Sequence, residues 1–164
     1  MSTRGLFITL LLILSMLLAF WYKSSLRLGM APDAIFTTLT GNKIDLKQLQ
    51  GNPVIVTFWA TNCATCIQEI PHLIKLYQQF HPQGLEIIAV AMYYDPPNHV
   101  LSMSKAKQIP YPVALDLTAN HAKAFGKIQY TPSTFLISPT GEIVMKKTGL
   151  LDIDTLQQRI KNLL

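Results

Sequence analysis

Apolar positions along this chain fall into three kinds of run, and each predicts a different element. The first is nearly unbroken. Leu6 to Tyr22 is 17 residues long and polar only at Thr9 and Ser15. As a helix it would reach about 26 Å, enough to cross a bilayer core. It ends in Phe20-Trp21-Tyr22, followed by Lys23 and Arg27, the aromatic and basic residues that favour a membrane–water interface. No small-x-small cleavage site follows it, because Gly29-Met30-Ala31 would leave Pro32 directly after the cut. The pattern therefore predicts an N-terminal membrane anchor over residues 1–22 and a linker over 23–33. Arg4 on one side, and Lys23 and Arg27 on the other, leave its orientation open.

The second kind is short, continuous and β-branched. Val54–Ala60 and Leu85–Met92 predict strands buried on both faces. Shorter runs at 34–39, 43–46 and 111–115 predict further strands. Ser133–Ser138 and Ile143–Thr148 predict a hairpin across Pro139-Thr140-Gly141. The third kind has helical spacing. From Cys63 to Phe80 the apolar residues are Ile67, Ile70, Leu73, Ile74, Tyr77 and Phe80, with Pro71 expected to kink the helix. A single helical turn is expected at 45–50, and further helices at 99–108, 120–125 and 153–164. Strands alternating with helices, then a hairpin and a closing helix, give an α/β sandwich with a mixed central sheet over 34–164.

Composition narrows the chemistry. At 164 residues one packed domain is expected, and two cysteines are too few to staple a scaffold. The formal charge of +5 is uneven. With Arg4, Lys23 and Arg27 set aside, 11 basic residues face 9 acidic ones. Lysine and arginine do not cluster with aromatics, and no glycine-rich phosphate loop occurs, so nucleic-acid and nucleotide chemistry have no support. What remains is the dithiol. Cys63 and Cys66 have two residues between them and lie at the point where a buried strand gives way to a helix. That corner exposes a thiol at the positive end of the helix.

The stretch TFWATNCATCIQEIP resembles the active-site segment of the thioredoxin superfamily, and within it the membrane-anchored TlpA/ResA/CcmG(DsbE)-like thiol–disulfide oxidoreductases. Phe58-Trp59 before the dithiol, Glu69 three residues after Cys66 and Pro71 beyond it carry the likeness. So does Tyr130-Thr131-Pro132-Ser133, which is similar to the group's cis-proline segment. The resemblance covers about Ala31 to Leu164 and implies a thioredoxin-like fold. The sequence departs from the superfamily at three places. Asn62 stands where tryptophan is common. Thr57 replaces the buried acid that thioredoxin carries six residues before its first cysteine. Ala64-Thr65 between the cysteines includes neither proline nor histidine, and the missing histidine leans towards a reductase.

The mechanism expected from these positions is dithiol exchange. Cys63 attacks a substrate disulfide as a thiolate, Cys66 resolves the mixed disulfide, and Glu69 serves the resolving thiol as proton acceptor. Thr131 and Pro132 would offer backbone to an extended substrate segment, with Trp59 and Asn62 shaping the site. The resemblance further implies protein substrates, apocytochrome c foremost, and a membrane electron donor of the DsbD/CcdA type. It implies no cofactor, and a location at the bacterial inner membrane with the catalytic domain in the periplasm. Three alternatives use the same residues. The first is a disulfide oxidase or isomerase. The second is a copper or zinc carrier in which His72 joins the cysteines, although structural zinc takes four ligands. The third is a peroxidase, which is disfavoured because Arg4, Arg27 and Arg159 all lie outside the active-site segments.

Overall fold

A computed structural model describes residues 12–16 and 28–164. Most of the expected anchor, and residues 23–27 of the expected linker, lie outside the described residues. Residues 12–16 are helical and exposed, and no helix among the described residues is long and apolar enough to cross a membrane. The other end of the expected linker is hydrogen-bonded to the C-terminal hairpin. Ala31 N–H donates to Gly141 O at 2.8 Å, and Gly29 O accepts from Ile143 N–H at 2.9 Å. Residues 29–31 are thereby laid against the turn of the C-terminal hairpin.

Strands β1 (Ile35–Thr37) and β2 (Lys43–Asp45) form a small antiparallel pair. Asp45 then caps a 3-10 turn, Leu46–Leu49, by accepting from Lys47 N–H. The main sheet is built from β3 (Val54–Trp59), β4 (Glu86–Ala91), β5 (Val113–Leu115), β6 (Ser133–Ile137) and β7 (Ile143–Thr148), in the order β5-β4-β3-β6-β7. β3, β4 and β5 run parallel because helices α1 (Ala64–Phe80) and α2 (Pro97–Ala106) carry the chain back between them. β6 and β7 are antiparallel additions. Helix α3 (Asn120–Ala124) precedes β6, and α4 (Ile153–Lys161) closes the chain.

β3 is buried at every position because both of its faces are covered. Ile55 and Trp59 turn to one side, against Ile70, Leu73, Leu76 and Phe80 of α1, Val100 of α2, and Leu156 and Ile160 of α4. Val54, Val56 and Phe58 turn to the other, against Phe36, Leu46, Ala122 and Phe125. This period of two across a doubly covered sheet is why the strand reads as one apolar run.

Three departures from the expected elements have a specific physical cause. α2 starts at Pro97 rather than residue 99, since a proline fits the first helical position, where no N–H is needed. β5 loses Tyr111 and Pro112, because proline has no N–H for the ladder. The buried stripe of α1 is rotated from the expected one, with Cys66 and Glu69 on it and Ile67 and Tyr77 only half-buried. A buried carboxylate on that face is the first structural sign of chemistry.

Candidate active site

Beyond Trp59 the chain turns sharply, and Cys63 N–H donates to Ala60 O at 3.2 Å. Cys63 is the N-cap of α1. Its backbone is extended and its Sγ accepts from Cys66 N–H at 3.2 Å. The sulfur thus occupies the place that a serine or aspartate oxygen takes at other helix starts, among backbone donors with no intrahelical partner. The Thr65 hydroxyl lies 3.4 Å from the same sulfur. Cys63 and Cys66 are joined in a disulfide with Cα atoms 5.2 Å apart. Cys63 is half-buried and Cys66 is buried, the asymmetry required of an attacking and a resolving thiol.

Behind Cys66 lies a cavity of about 10 Å³ lined by Thr57, Trp59, Cys66, Glu69, Tyr111 and Pro132 among others. It is about the size of one water probe. Glu69, one turn beyond Cys66, is buried, and its Oε1 accepts from Leu151 N–H at 2.6 Å. Burial pushes its carboxyl above the usual carboxylate range, and the Leu151 bond partly offsets this. Burial also pushes the Tyr111 hydroxyl up, with the Glu69 charge adding to the effect. The Trp59 indole N–H is buried and meets no acceptor among the described residues. Thr57 pairs its hydroxyl with Thr134 at 2.8 Å, so the position of the missing thioredoxin acid is neutral and internally satisfied.

The peptide bond between Thr131 and Pro132 is cis, and Pro132 is buried against the cavity. The segment is tied at both ends. The Ser133 hydroxyl donates to Tyr130 O at 2.7 Å, and Pro132 O accepts from Gly149 N–H at 2.9 Å. Asn62 is exposed beside Cys63, while Trp59 lies in the floor beneath. His72 is exposed on α1, and no three His, Cys, Asp or Glu side chains converge among the described residues.

Asp95, in its proline-rich loop, supports the site although its sequence context does not mark it. Asp95 is buried and takes both Thr61 N–H and the Thr61 hydroxyl, each at 2.6 Å. Together with the bond from Met92 N–H to Trp59 O at 3.0 Å, it fastens the residues before Cys63 to the end of β4. The only available signal was an acidic residue at the end of an apolar strand, which many surface loops share.

Comparison with known proteins agrees with this geometry. Residues 29–146 match the AhpC/TSA family. Thiol-disulfide oxidoreductase ResA of Halalkalibacterium halodurans is 37% identical over 119 residues, 73% of this chain and 66% of that protein. ResA of Bacillus thuringiensis subsp. konkukian is 32% identical over 133 residues, 81% of this chain and 76% of that protein. Among solved structures, a thioredoxin-like protein of Neisseria meningitidis superposes with a TM-score of 0.76 at 30% identity, covering 82% of this chain and 89% of its own. A thioredoxin-like α/β fold, a dithiol at the strand-to-helix corner and these relatives agree: the chain belongs to the AhpC/TSA family, among its ResA-type thiol–disulfide oxidoreductases.

Proposed function

We propose that this chain is a membrane-anchored, extracytoplasmic reductase of specific protein disulfides. The observation that carries the reading is the pairing of two unlike thiols with one buried acid. Cys63 caps the helix and its Sγ accepts from Cys66 N–H, Cys66 is buried one turn on, and Glu69 is buried against the same cavity. In the reduced protein, Cys63 attacks a substrate disulfide as a thiolate stabilised by the helix terminus. One substrate sulfur leaves as thiolate and the other is held in a mixed disulfide. Cys66 passes its proton towards Glu69, attacks the Cys63 sulfur and releases the reduced substrate.

The cis Thr131–Pro132 segment and exposed Asn62 border the place where the substrate chain would lie, with Trp59 supporting it from below. The apolar run of residues 6–22 supports anchoring, and the absence of histidine between the cysteines supports a reducing direction. Apocytochrome c is the leading substrate, with an electron donor of the DsbD/CcdA type to restore the dithiol. The test is mixed-disulfide trapping in membranes. A Cys66→Ser chain should accumulate adducts through Cys63 that resolve on reduction and include apocytochrome c. A variant that traps nothing, while the unaltered chain still reduces disulfides, contradicts the assigned roles.

A further inference from the structure

A groove of about 580 Å³ opens between Tyr93, Leu117 and the segment from Ala119 to Gln129. Its apolar walls are exposed, Tyr93 by 55% and Leu117 by 66%. It sits at the carboxyl ends of the parallel strands β4 and β5, the end where α/β sheets hold their ligands. Both walls are continuous with the dithiol site. Tyr93 lies between Met92, bonded to Trp59 O, and Asp95, bonded to Thr61. On the other side, Ile128 and Gln129 run through Tyr130 directly into cis Thr131–Pro132.

The charge of the groove has one sign. Lys123 and Lys127 line it and are both exposed. The nearby carboxylate, Asp116, is buried and spent on the N–H groups of His121 and Ala122, at 3.1 and 2.8 Å. The backbone here is also strained. Three non-glycine residues among those described have positive φ, and two of them, Ala119 at 58° and Lys127 at 56°, line this groove. Side chains rarely adopt that conformation, and its cost is borne where a surface must keep a particular shape.

Resting on the reductase reading above, we propose that this groove binds the polypeptide segment flanking a substrate's disulfide, and that it selects extended segments that are acidic and apolar. Tyr93 and Leu117 would pack against apolar side chains while Lys123 and Lys127 meet carboxylates.

The test is single-turnover exchange of the full chain, reduced beforehand with dithiothreitol. The substrates are two disulfide peptides of equal length, one flanked by aspartates and leucines and the other by lysines and leucines, with hydroxyethyl disulfide as a neutral probe. Two electrons pass from the Cys63–Cys66 dithiol to each disulfide, leaving the protein oxidised and the peptide as a dithiol. The unaltered chain should reduce the acidic peptide about fivefold faster than the basic one, with the preference fading as salt rises. K123E/K127E should abolish or invert that preference. K43E/K161E, which carries the same change in net charge outside the groove, should retain it, and Leu117→Ser should slow both peptides. A preference that is absent in the unaltered chain, or that survives K123E/K127E, overturns the proposal. An unaltered chain that reduces neither peptide nor hydroxyethyl disulfide overturns the reductase reading beneath it instead.

Discussion

The Glu69 carboxylate accepts a 2.6 Å hydrogen bond from the backbone N–H of Leu151, 82 residues further along the chain. The loop between β7 and α4 therefore fixes the acid that faces the resolving thiol. Burial still dominates its ionisation and holds its carboxyl above the usual range. A buried acid of this kind is best tolerated when protonated. Its contribution to stability is fully present below the ordinary carboxylate pKa and is lost as pH rises through the raised folded value. Denaturant unfolding of the oxidised protein should show stability falling across that window, and Glu69→Gln should flatten the fall. A pH dependence unchanged in Glu69→Gln would show that the carboxyl titrates as though in water.

The same substitution bears on catalysis. Glu69→Gln keeps the size of the side chain and an acceptor oxygen for Leu151 but cannot take a proton from Cys66. Resolution of the mixed disulfide should slow, by about tenfold or more if general-base catalysis operates here. Attack by Cys63 should be little affected. Stopped-flow separation of the two steps checks this, and equal slowing of both would argue for a structural role.

Thr65 lies within hydrogen-bonding reach of the sulfur that becomes the nucleophile. Sulfur as thiolate accepts such a bond more strongly than as thiol. Thr65→Val should therefore move the pH midpoint of Cys63 alkylation in the reduced protein upward. An unmoved midpoint would leave the helix terminus as the main stabilising influence.

Asp95 makes two short bonds to Thr61 from a buried position, so Asp95→Ala should destabilise the fold by about 2 kcal/mol. It should also loosen the loop that carries Cys63. Urea unfolding gives the first effect, and faster amide exchange at Thr61 through Cys63 gives the second. A loss of stability with no change in local exchange would confine Asp95 to general packing.

What the sequence made legible was local. The dithiol, the buried strand before it, the helix it begins and the Thr131-Pro132 segment are each encoded within a few neighbouring residues. What stayed hidden depends on contacts between distant parts of the chain. Glu69 could be named as a candidate from its spacing to Cys66. Its burial follows only from the packing of α1 against the sheet and from Leu151, far along the chain. The expected stripe on α1 missed this because it counted apolar residues alone, and the helix in fact turns a carboxylate inward. Asp95 was invisible for a related reason, since nothing in a proline-rich loop marks the one acidic residue that folds back onto Thr61. Pro112 shortened β5 and Pro97 extended α2, both through the missing proline N–H. Most of the expected membrane helix falls outside the described residues.

The most direct test of the central claim is the reduction potential of the Cys63–Cys66 pair. The full chain should be equilibrated in dithiothreitol or glutathione buffers and the dithiol quantified by alkylation. A value near or below about −230 mV, within the thioredoxin and glutaredoxin range, is the predicted result and fits a dedicated reductase. A value of about −120 to −180 mV, as in strong oxidants and isomerases, would contradict it and reverse the direction of electron flow.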